Sequence, residues 1–191
     1  MRADARENYN RVLDAARDVV AEHGVDASLR DIARRAEVGF ATLLRHFPTR
    51  EALFEALLCT KSEALSQKAT ELEVSKSPDE ALLTWFGEGV RFAQSYSGVC
   101  TLMADAHADP SSALYASSTT MHQAGARLLA RAQAEGTARP DMDGEDLFAL
   151  MSALAWLVDQ AAFAPREQHL LHLIADAIFA PARARRKSPR V

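Results

Sequence analysis

Residues 28–50, SLRDIARRAEVGFATLLRHFPTR, decide the fold of this chain. Ser28 can cap a helix because its side-chain oxygen accepts a backbone N–H of the first turn, and Asp31 puts an acid near the positive end of the helix dipole. The apolar positions keep helical spacing in both halves of the stretch: Leu29, Ile32, Ala33 and Ala36, then Leu43, Leu44 and Phe47. Residues 37–39 interrupt the pattern, and Pro48 ends it. Two short helices joined by such a turn predict a helix-turn-helix, whose second helix enters the major groove of DNA.

Residues 11–58 resemble the DNA-binding domain of the TetR family of bacterial transcriptional repressors. The segments that match in order and spacing are VLDAA (12–16), EHG (22–24), SLRDIA (28–33), TL (42–43), HF (46–47) and REAL (50–53). The resemblance covers the first quarter to third of the chain, and the remainder matches in length and helical character. It implies an all-α fold, with a three-helix DNA-binding head at 1–50 and an effector-binding and dimerisation bundle at 51–181. The pattern of apolar residues predicts about nine helices, and the run of basic residues at 182–191 predicts a disordered tail.

Three positions depart from the family pattern. Glu37 lies where the family favours glycine, and a positive φ there would cost a non-glycine residue about 1 kcal/mol. Gly39 lies where a serine often caps the second helix, a change worth only a few tenths of a kcal/mol. Leu44 replaces a tyrosine that bonds a DNA phosphate in the family, so the affinity for each half-site is expected to fall.

The candidate DNA contacts lie in and beside the second helix of the motif. They are Ser28, Arg30, Gly39, Phe40, Ala41, Thr42, Leu44, Arg45, His46 and Arg50. By resemblance, Arg30 and residues 40, 41 and 45 reach base edges, whereas Thr42, His46 and Arg50 hold phosphates. An arginine can bond guanine O6 and N7 together, and a threonine or alanine methyl can meet a thymine methyl. The alternatives are a solvated helix face and, for Phe40, packing against sugars.

Charge is distributed unevenly along the 191 residues, of which 48% are hydrophobic and 25% charged. The net charge is −4, yet residues 1–50 hold nine arginines and eight acidic residues, a net +1, so the rest of the chain carries −5. A near-neutral head on an acidic body favours DNA contact by a few arginines over a broad basic surface.

Several functional classes lack support in the sequence. It contains no GxSxG, P-loop, dinucleotide-binding or HExxH motif, so we expect neither an enzyme nor a cofactor. No apolar run suggests a signal peptide or a membrane span, so we expect a cytoplasmic protein. Cys59 and Cys100 form no metal-binding or disulfide pattern and are weak candidates for redox sensors.

Beyond the motif, apolar periodicity and breakers predict further helices. They are expected at about 7–23, 49–74, 79–95, 99–105, 111–135, 144–163 and 167–179, ended by glycine or proline at several points. The helices within 79–163 could hold a small-molecule effector, because ligand sites are mostly apolar with a few polar groups. The candidates are Trp85, Phe86, Phe92, Met103, His107, Met121, His122, Trp156 and Gln160, and plain core packing is the alternative for each. Asp105, His107 and Asp109 could suggest a metal site, but a loop that ends a helix is the favoured interpretation, so no metal is expected.

The last two predicted helices are candidates for a dimer interface. The helix at 144–163 is apolar nearly all round and must be covered on more than one side. The candidate interface residues are Leu150, Leu154, Leu157, Val158, Leu170, Leu173, Ile174, Ala177 and Ile178. The resemblance implies a homodimer on a pseudo-palindromic double-stranded operator, released when a small molecule moves the helix at 49–74. An activator or effector-free regulator on the same fold, and a helical ligand carrier or enzyme without DNA binding, remain open alternatives.

Overall fold

A computed structural model describes residues 2–23, 27–94 and 113–179. These residues form eight α-helices and one short 3-10 helix, Ala164–Arg166, and contain no strand. The α-helices are α1 Arg2–His23, α2 Leu29–Arg35, α3 Phe40–His46, α4 Arg50–Ser75, α5 Pro78–Gln94, α6 Ala113–Ala134, α7 Gly144–Asp159 and α8 Glu167–Phe179. The predicted all-α class is confirmed. The predicted helix at 99–105 and the basic tail at 182–191 lie outside the described residues.

Two helix boundaries differ from the prediction. Helix α1 begins at Arg2 rather than near residue 7, because residues 2–6 contain no helix breaker and Asp4 lies in the first turn, where the dipole favours an acid. Helix α7 ends at Asp159 rather than near residue 163. Gln160 leaves helical geometry with ψ 124, and the chain then turns into the 3-10 helix that contains Pro165.

The described residues fall into two compact units. The first holds residues 2–63 and 113–118, and the second holds 64–94 and 119–179. Helices α4 and α6 each contribute residues to both units. The prediction divided the chain by function at residue 50, and that functional division stays a prediction.

In the first unit, α1, α2 and α3 pack against one another around an apolar core. Helix α1 contributes a stripe at helical spacing, and α2 and α3 contribute one fully buried residue each. The core members are Val12, Ala16, Val19, Val20, Ile32, Leu43 and Phe47. Burying the valine, isoleucine, leucine and phenylalanine side chains of this core stabilises the head by about 1.5–3 kcal/mol each.

In the second unit, α7 packs against α5 and α8. Trp85 of α5 is buried in this unit, and its indole N–H donates to the backbone oxygen of Leu65 at 2.9 Å. Its ring lies so close to α6 that a Cβ added at Gly125 would come within 2.4 Å of it. Only a glycine lets the helix approach the ring at this position.

Candidate nucleic-acid interface

Helix α2 begins with the cap that the sequence predicts. Ser28 has extended backbone angles, φ −76 and ψ 128, and its Oγ accepts the backbone N–H of Arg30 at 3.2 Å. Asp31 lies in the first turn, where it offsets the positive end of the helix. Because the cap fixes the backbone of the first turn, it fixes where the Arg30 side chain leaves the helix.

The turn between α2 and α3 closes with two backbone hydrogen bonds. The N–H of Val38 donates to the oxygen of Ala33 at 3.0 Å, and the N–H of Glu37 donates to the oxygen of Arg34 at 3.1 Å. This double closure requires a left-handed residue after the helix end, and Glu37 takes that role with φ 53. The strain anticipated for a non-glycine residue at this turn is therefore present in the folded chain.

Helix α3 turns one side into the head and the other outward. Leu43 is completely buried and anchors the helix, whereas Ala41 and Arg45 are exposed. Phe40, Thr42, Leu44 and His46 are partly exposed. Gly39 takes the cap position with no side-chain hydrogen bond, so α3 starts without the cap that serine would supply.

The arginines of the motif differ in whether they have acidic partners. Arg34 contacts Asp31 at 2.8 Å, and Arg35 makes two hydrogen bonds to the carboxylate of Glu22 at 2.9 and 2.8 Å. This pairing lowers the pKa of Glu22 and raises the pKa of Arg35. Within the described residues, neither Arg30 nor Arg45 contacts an acidic side chain. Their positive charge therefore remains available to an external anion.

Each of these two arginines lies against a neighbour within the motif. The guanidinium carbon of Arg30 lies 5.1 Å from the ring centroid of Phe40, within the range of a cation–π contact. The Nη2 of Arg45 donates to Thr42 Oγ1 at 2.8 Å, one turn earlier on α3. The structure thus places Arg30, Phe40, Thr42 and Arg45 in two contacting pairs.

Two predicted phosphate contacts also take part in packing of the head. Arg50 donates from Nη2 to the backbone oxygen of Ala27 at 2.7 Å, which ties the start of α4 to the residue before the Ser28 cap. His46 lies edge-on to Tyr9, with ring centroids 6.0 Å apart. The bond to Ala27 engages one of the five N–H donors of Arg50, and whether the guanidinium also binds a phosphate stays a prediction.

Sequence reasoning missed Tyr9 and Arg11 of α1 as parts of the motif's support. Tyr9 stacks on Phe47 with centroids 4.8 Å apart, and Arg11 bonds the turn residue Glu37. Tyr9 lies three residues before Val12, so helical spacing could have placed it on the packing stripe. No pattern in the sequence indicated the contact between Arg11 and Glu37, which lie 26 residues apart.

The effector candidates do not form one group in the described residues. Trp85, Phe86, Phe92 and Met121 are buried in the apolar core, whereas the side chain of Trp156 is 60% exposed. The ring centroids of His122 and Phe148 lie 3.7 Å apart. Gln160 donates from Nε2 to the backbone oxygen of Trp156 at 3.3 Å. Met103 and His107 lie outside the described residues. A cleft of about 420 Å³ in the second unit is lined by other residues, namely Asp79, Glu80, Leu83, Gly136, Thr137 and Phe179.

The dimer candidates divide by exposure. Leu154, Val158 and Ile178 are buried within this chain, because α7 and α8 use them to pack on their own unit. Leu173 is 51% exposed, and Ala177 is exposed beside it on α8. The remaining members, Leu150, Leu157, Leu170 and Ile174, are partly exposed. Six of the nine candidates are therefore at least partly exposed in the single chain, and their place in an interface stays a prediction.

The described residues offer little for metal or redox chemistry. No group of three or more His, Cys, Asp or Glu side chains among them could hold a metal ion. Asp105, His107, Asp109 and Cys100 lie outside the described residues. Burial raises the pKa of the half-buried Cys59 thiol, which works against a reactive thiolate. No described helix has both the length and the apolar content needed to cross a lipid bilayer.

Two sequence models of known protein families match this chain. The sequence model of the bacterial regulatory proteins of the TetR family matches residues 12–57. The model of the SbtR-like transcriptional regulator C-terminal domain matches residues 77–178, more than half of the chain. This chain belongs to the TetR family. Members of the family bind DNA and usually act as dimers, and the family is a class of transcriptional regulators rather than of enzymes.

Solved TetR-family structures resemble this TetR-family chain along most of its length. SCO0520 of Streptomyces coelicolor is 31% identical, with a TM-score of 0.70, and the match covers 91% of this chain and 99% of that one. A TetR regulator of Mycobacterium vanbaalenii is 30% identical, with a TM-score of 0.67 and coverage of 93% and 98%. The repressor Rv3405c of Mycobacterium tuberculosis is 39% identical over 72 residues, which span 37% of this chain and 36% of that repressor.

Proposed function

We propose that this chain is a homodimeric transcriptional repressor that binds a pseudo-palindromic DNA operator through α2 and α3. The observation that carries the proposal is a pair of arginines at the exposed side of the motif: among the described residues, neither Arg30 nor Arg45 contacts an acidic side chain. Arginines in this position can bond the O6 and N7 atoms of guanine in the major groove. Two copies of α3, one from each chain, would lie about one helical turn of DNA apart, ~34–36 Å.

The partly exposed residues of the motif supply the contacts that set the position of the head on DNA. Thr42, His46 and Arg50 offer a hydroxyl, an imidazole and a guanidinium to phosphates, and such contacts fix register without reading sequence. Leu44 is partly exposed and offers no hydrogen-bond donor. We therefore expect weaker binding to the DNA phosphate at this position than a tyrosine hydroxyl would give.

The proposed release mechanism uses a small molecule bound in the second unit. Helix α4 contributes residues 50–63 to the first unit and 64–75 to the second, so a single continuous helix includes residues of both units. A ligand that favours another packing of residues 64–75 would change the position of residues 50–63 and of the motif that precedes them. Such a ligand must bind the released state more tightly than the DNA-bound state.

Selection of genomic fragments tests the proposal. Purified wild-type protein should recover fragments that share an inverted repeat, and a variant with both Arg30→Ala and Arg45→Ala should recover no common sequence. Arg34→Ala is the matched control, since Arg34 has the same charge but is already paired with Asp31. Wild-type protein that recovers no shared sequence, or an Arg34→Ala variant that loses selection as completely as the double variant, would contradict the proposal.

A further inference from the structure

Phe40 and Arg30 form a contact between the two helices of the motif. Arg30 is the second residue of α2, and Phe40 is the first residue of α3. The guanidinium carbon lies 5.1 Å from the ring centroid. The Ser28 cap fixes the backbone before Arg30, and the closed turn at Glu37 fixes the backbone between Arg30 and Phe40. In the part of the chain that the structure describes, the Arg30 guanidinium has no hydrogen bond to any other residue.

A guanidinium that lies against a ring keeps its hydrogen-bonding capacity. The Arg30 guanidinium carbon lies 5.1 Å from the ring centroid, and the five N–H donors of the group lie in its plane and point outward from its edges, so a contact with one ring does not use them all. An arginine can therefore contact Phe40 and bond guanine O6 and N7 at once. The ring also restricts the Arg30 side chain before binding, so the side chain loses less rotational freedom when it binds DNA.

Phe40 has two possible roles in a DNA complex, and the geometry separates them. A phenyl ring that read a base would have to place its own surface against a thymine methyl or a sugar. Here the partly exposed ring is already in contact with the guanidinium of the neighbouring helix. The ring is thus placed to orient Arg30.

We infer that Phe40 is a positioning residue for Arg30, and that the pair reads one guanine in each half-site of the operator. This inference rests on the proposed DNA-binding function. Its consequence is that Arg30 and Phe40 determine the same base position. Removal of the ring should relax the choice of guanine at that position and leave the choice elsewhere unchanged.

The test measures base preference at every operator position for four proteins. They are the wild type, Arg30→Ala, Phe40→Leu, which removes the ring but keeps an apolar side chain, and Phe40→Tyr, which keeps the ring. Phe40→Leu should weaken binding to the preferred operator about tenfold over two half-sites, and its loss of preference should fall on the same guanine as that of Arg30→Ala. Phe40→Tyr should retain the wild-type preference at that position.

Two further measurements sharpen the test. Replacement of that guanine by 7-deazaguanine should weaken the wild type but not Arg30→Ala, because the modified base lacks the N7 acceptor. In the Arg30→Ala background, Phe40→Leu should cause no further loss of preference, since the pair acts as one unit. Thermal unfolding and binding to non-specific DNA establish that each variant is folded.

Three results would overturn the inference. Phe40→Leu could shift preference at a different base from Arg30→Ala, which would make Phe40 a reader in its own right. It could weaken all sequences equally, which would make the ring a sugar or phosphate contact. A wild type that selects no sequence would remove the proposed function and this inference with it, an outcome distinct from the first two.

Discussion

Arg11 of α1 donates from Nη2 to the backbone oxygen of Glu37 at 3.3 Å and lies 3.4 Å from a Glu37 carboxylate oxygen. Glu37 is the left-handed residue that closes the turn between α2 and α3, with φ 53. One side chain of α1 therefore binds both the main chain and the side chain of the strained residue. The contact partly offsets the conformational strain of Glu37, which glycine would not have at this position.

A double-mutant cycle on Arg11 and Glu37 separates the strain from the contact. In the Arg11→Ala background, Glu37→Gly should raise the free energy of unfolding by about 1 kcal/mol, because only the relief of the left-handed strain remains. In the wild-type background the gain should be smaller, since an exposed ion pair worth about 0–1 kcal/mol is lost as well. Urea unfolding of the four proteins measures both values. A Glu37→Gly change that destabilises both backgrounds would show that the turn carries no such strain.

The pair of Glu22 and Arg35 predicts a pH dependence of stability. Hydrogen bonding by Arg35 lowers the pKa of the Glu22 carboxyl below its ordinary value of 4.5. The contribution of the pair is therefore fully present above pH 4.5 and is lost as the pH falls through the lower folded value. Wild type should exceed Glu22→Gln in unfolding free energy at pH 7, and the difference should shrink below pH 4.5.

Arg35→Met provides the control for this pH dependence. Without the guanidinium, the pKa of Glu22 should return towards its ordinary value, and Glu22→Gln should then have little effect at any pH. Urea unfolding at several pH values measures both series. A difference between wild type and Glu22→Gln that grows as the solution is acidified would contradict the assignment.

Thr42 tests how Arg45 is held. Thr42→Val removes the hydroxyl that accepts the Arg45 N–H at 2.8 Å while keeping the size of the side chain. It should relax base choice at the position that Arg45 reads, by about 0.5–1.5 kcal/mol per half-site, and Thr42→Ser should keep the wild-type choice. Competition binding against operators changed at single bases measures the effect. Equal weakening on all sequences, with base choice unchanged at that position, would show that Thr42 contacts a phosphate but does not position Arg45.

Local chemistry made most of the fold predictable. The Ser28 cap, the start of α4 and the stop before Pro48 depend on residues within a few positions of each other; for example, Thr49 Oγ1 accepts the N–H of Ala52 at 3.1 Å. Helix α8 follows its predicted bounds because a clear apolar stripe lies between two prolines. The start of α1 was missed, since residues 2–6 form helix without any large apolar side chain to mark them.

The site was less predictable because its contacts join distant residues. Arg50 and Ala27 lie 23 residues apart, and Arg35 and Glu22 lie 13 apart, so only the packed head brings each pair together. The helical spacing of apolar residues also does not distinguish residues buried in the chain's own core from residues that a partner chain would cover. Along α7, Leu154 is buried and Trp156 is exposed, yet both belong to one apolar run.

Leu173 tests the proposed dimer. It is 51% exposed on α8, so Leu173→Glu should leave the fold of the single chain intact. In a two-fold interface the substitution places two carboxylates in one apolar seam, at a cost of several kcal/mol for each buried charge, and monomers should result. Val74→Glu is the control, because Val74 is 87% exposed at the end of α4 and outside the proposed interface. Sedimentation velocity measures the mass. A folded Leu173→Glu variant that remains dimeric would place the interface elsewhere.

The affinity of the wild type for its recovered operator, compared with a scrambled duplex of the same composition, tests the central claim most directly. Both affinities are measured at the same salt concentration, with the number of chains bound per duplex determined by sedimentation. We predict that two chains bind the operator at least about 10³-fold more tightly than the scrambled duplex. Equal affinities for the two duplexes at every salt concentration would contradict the claim, because attraction to phosphates alone would then account for binding.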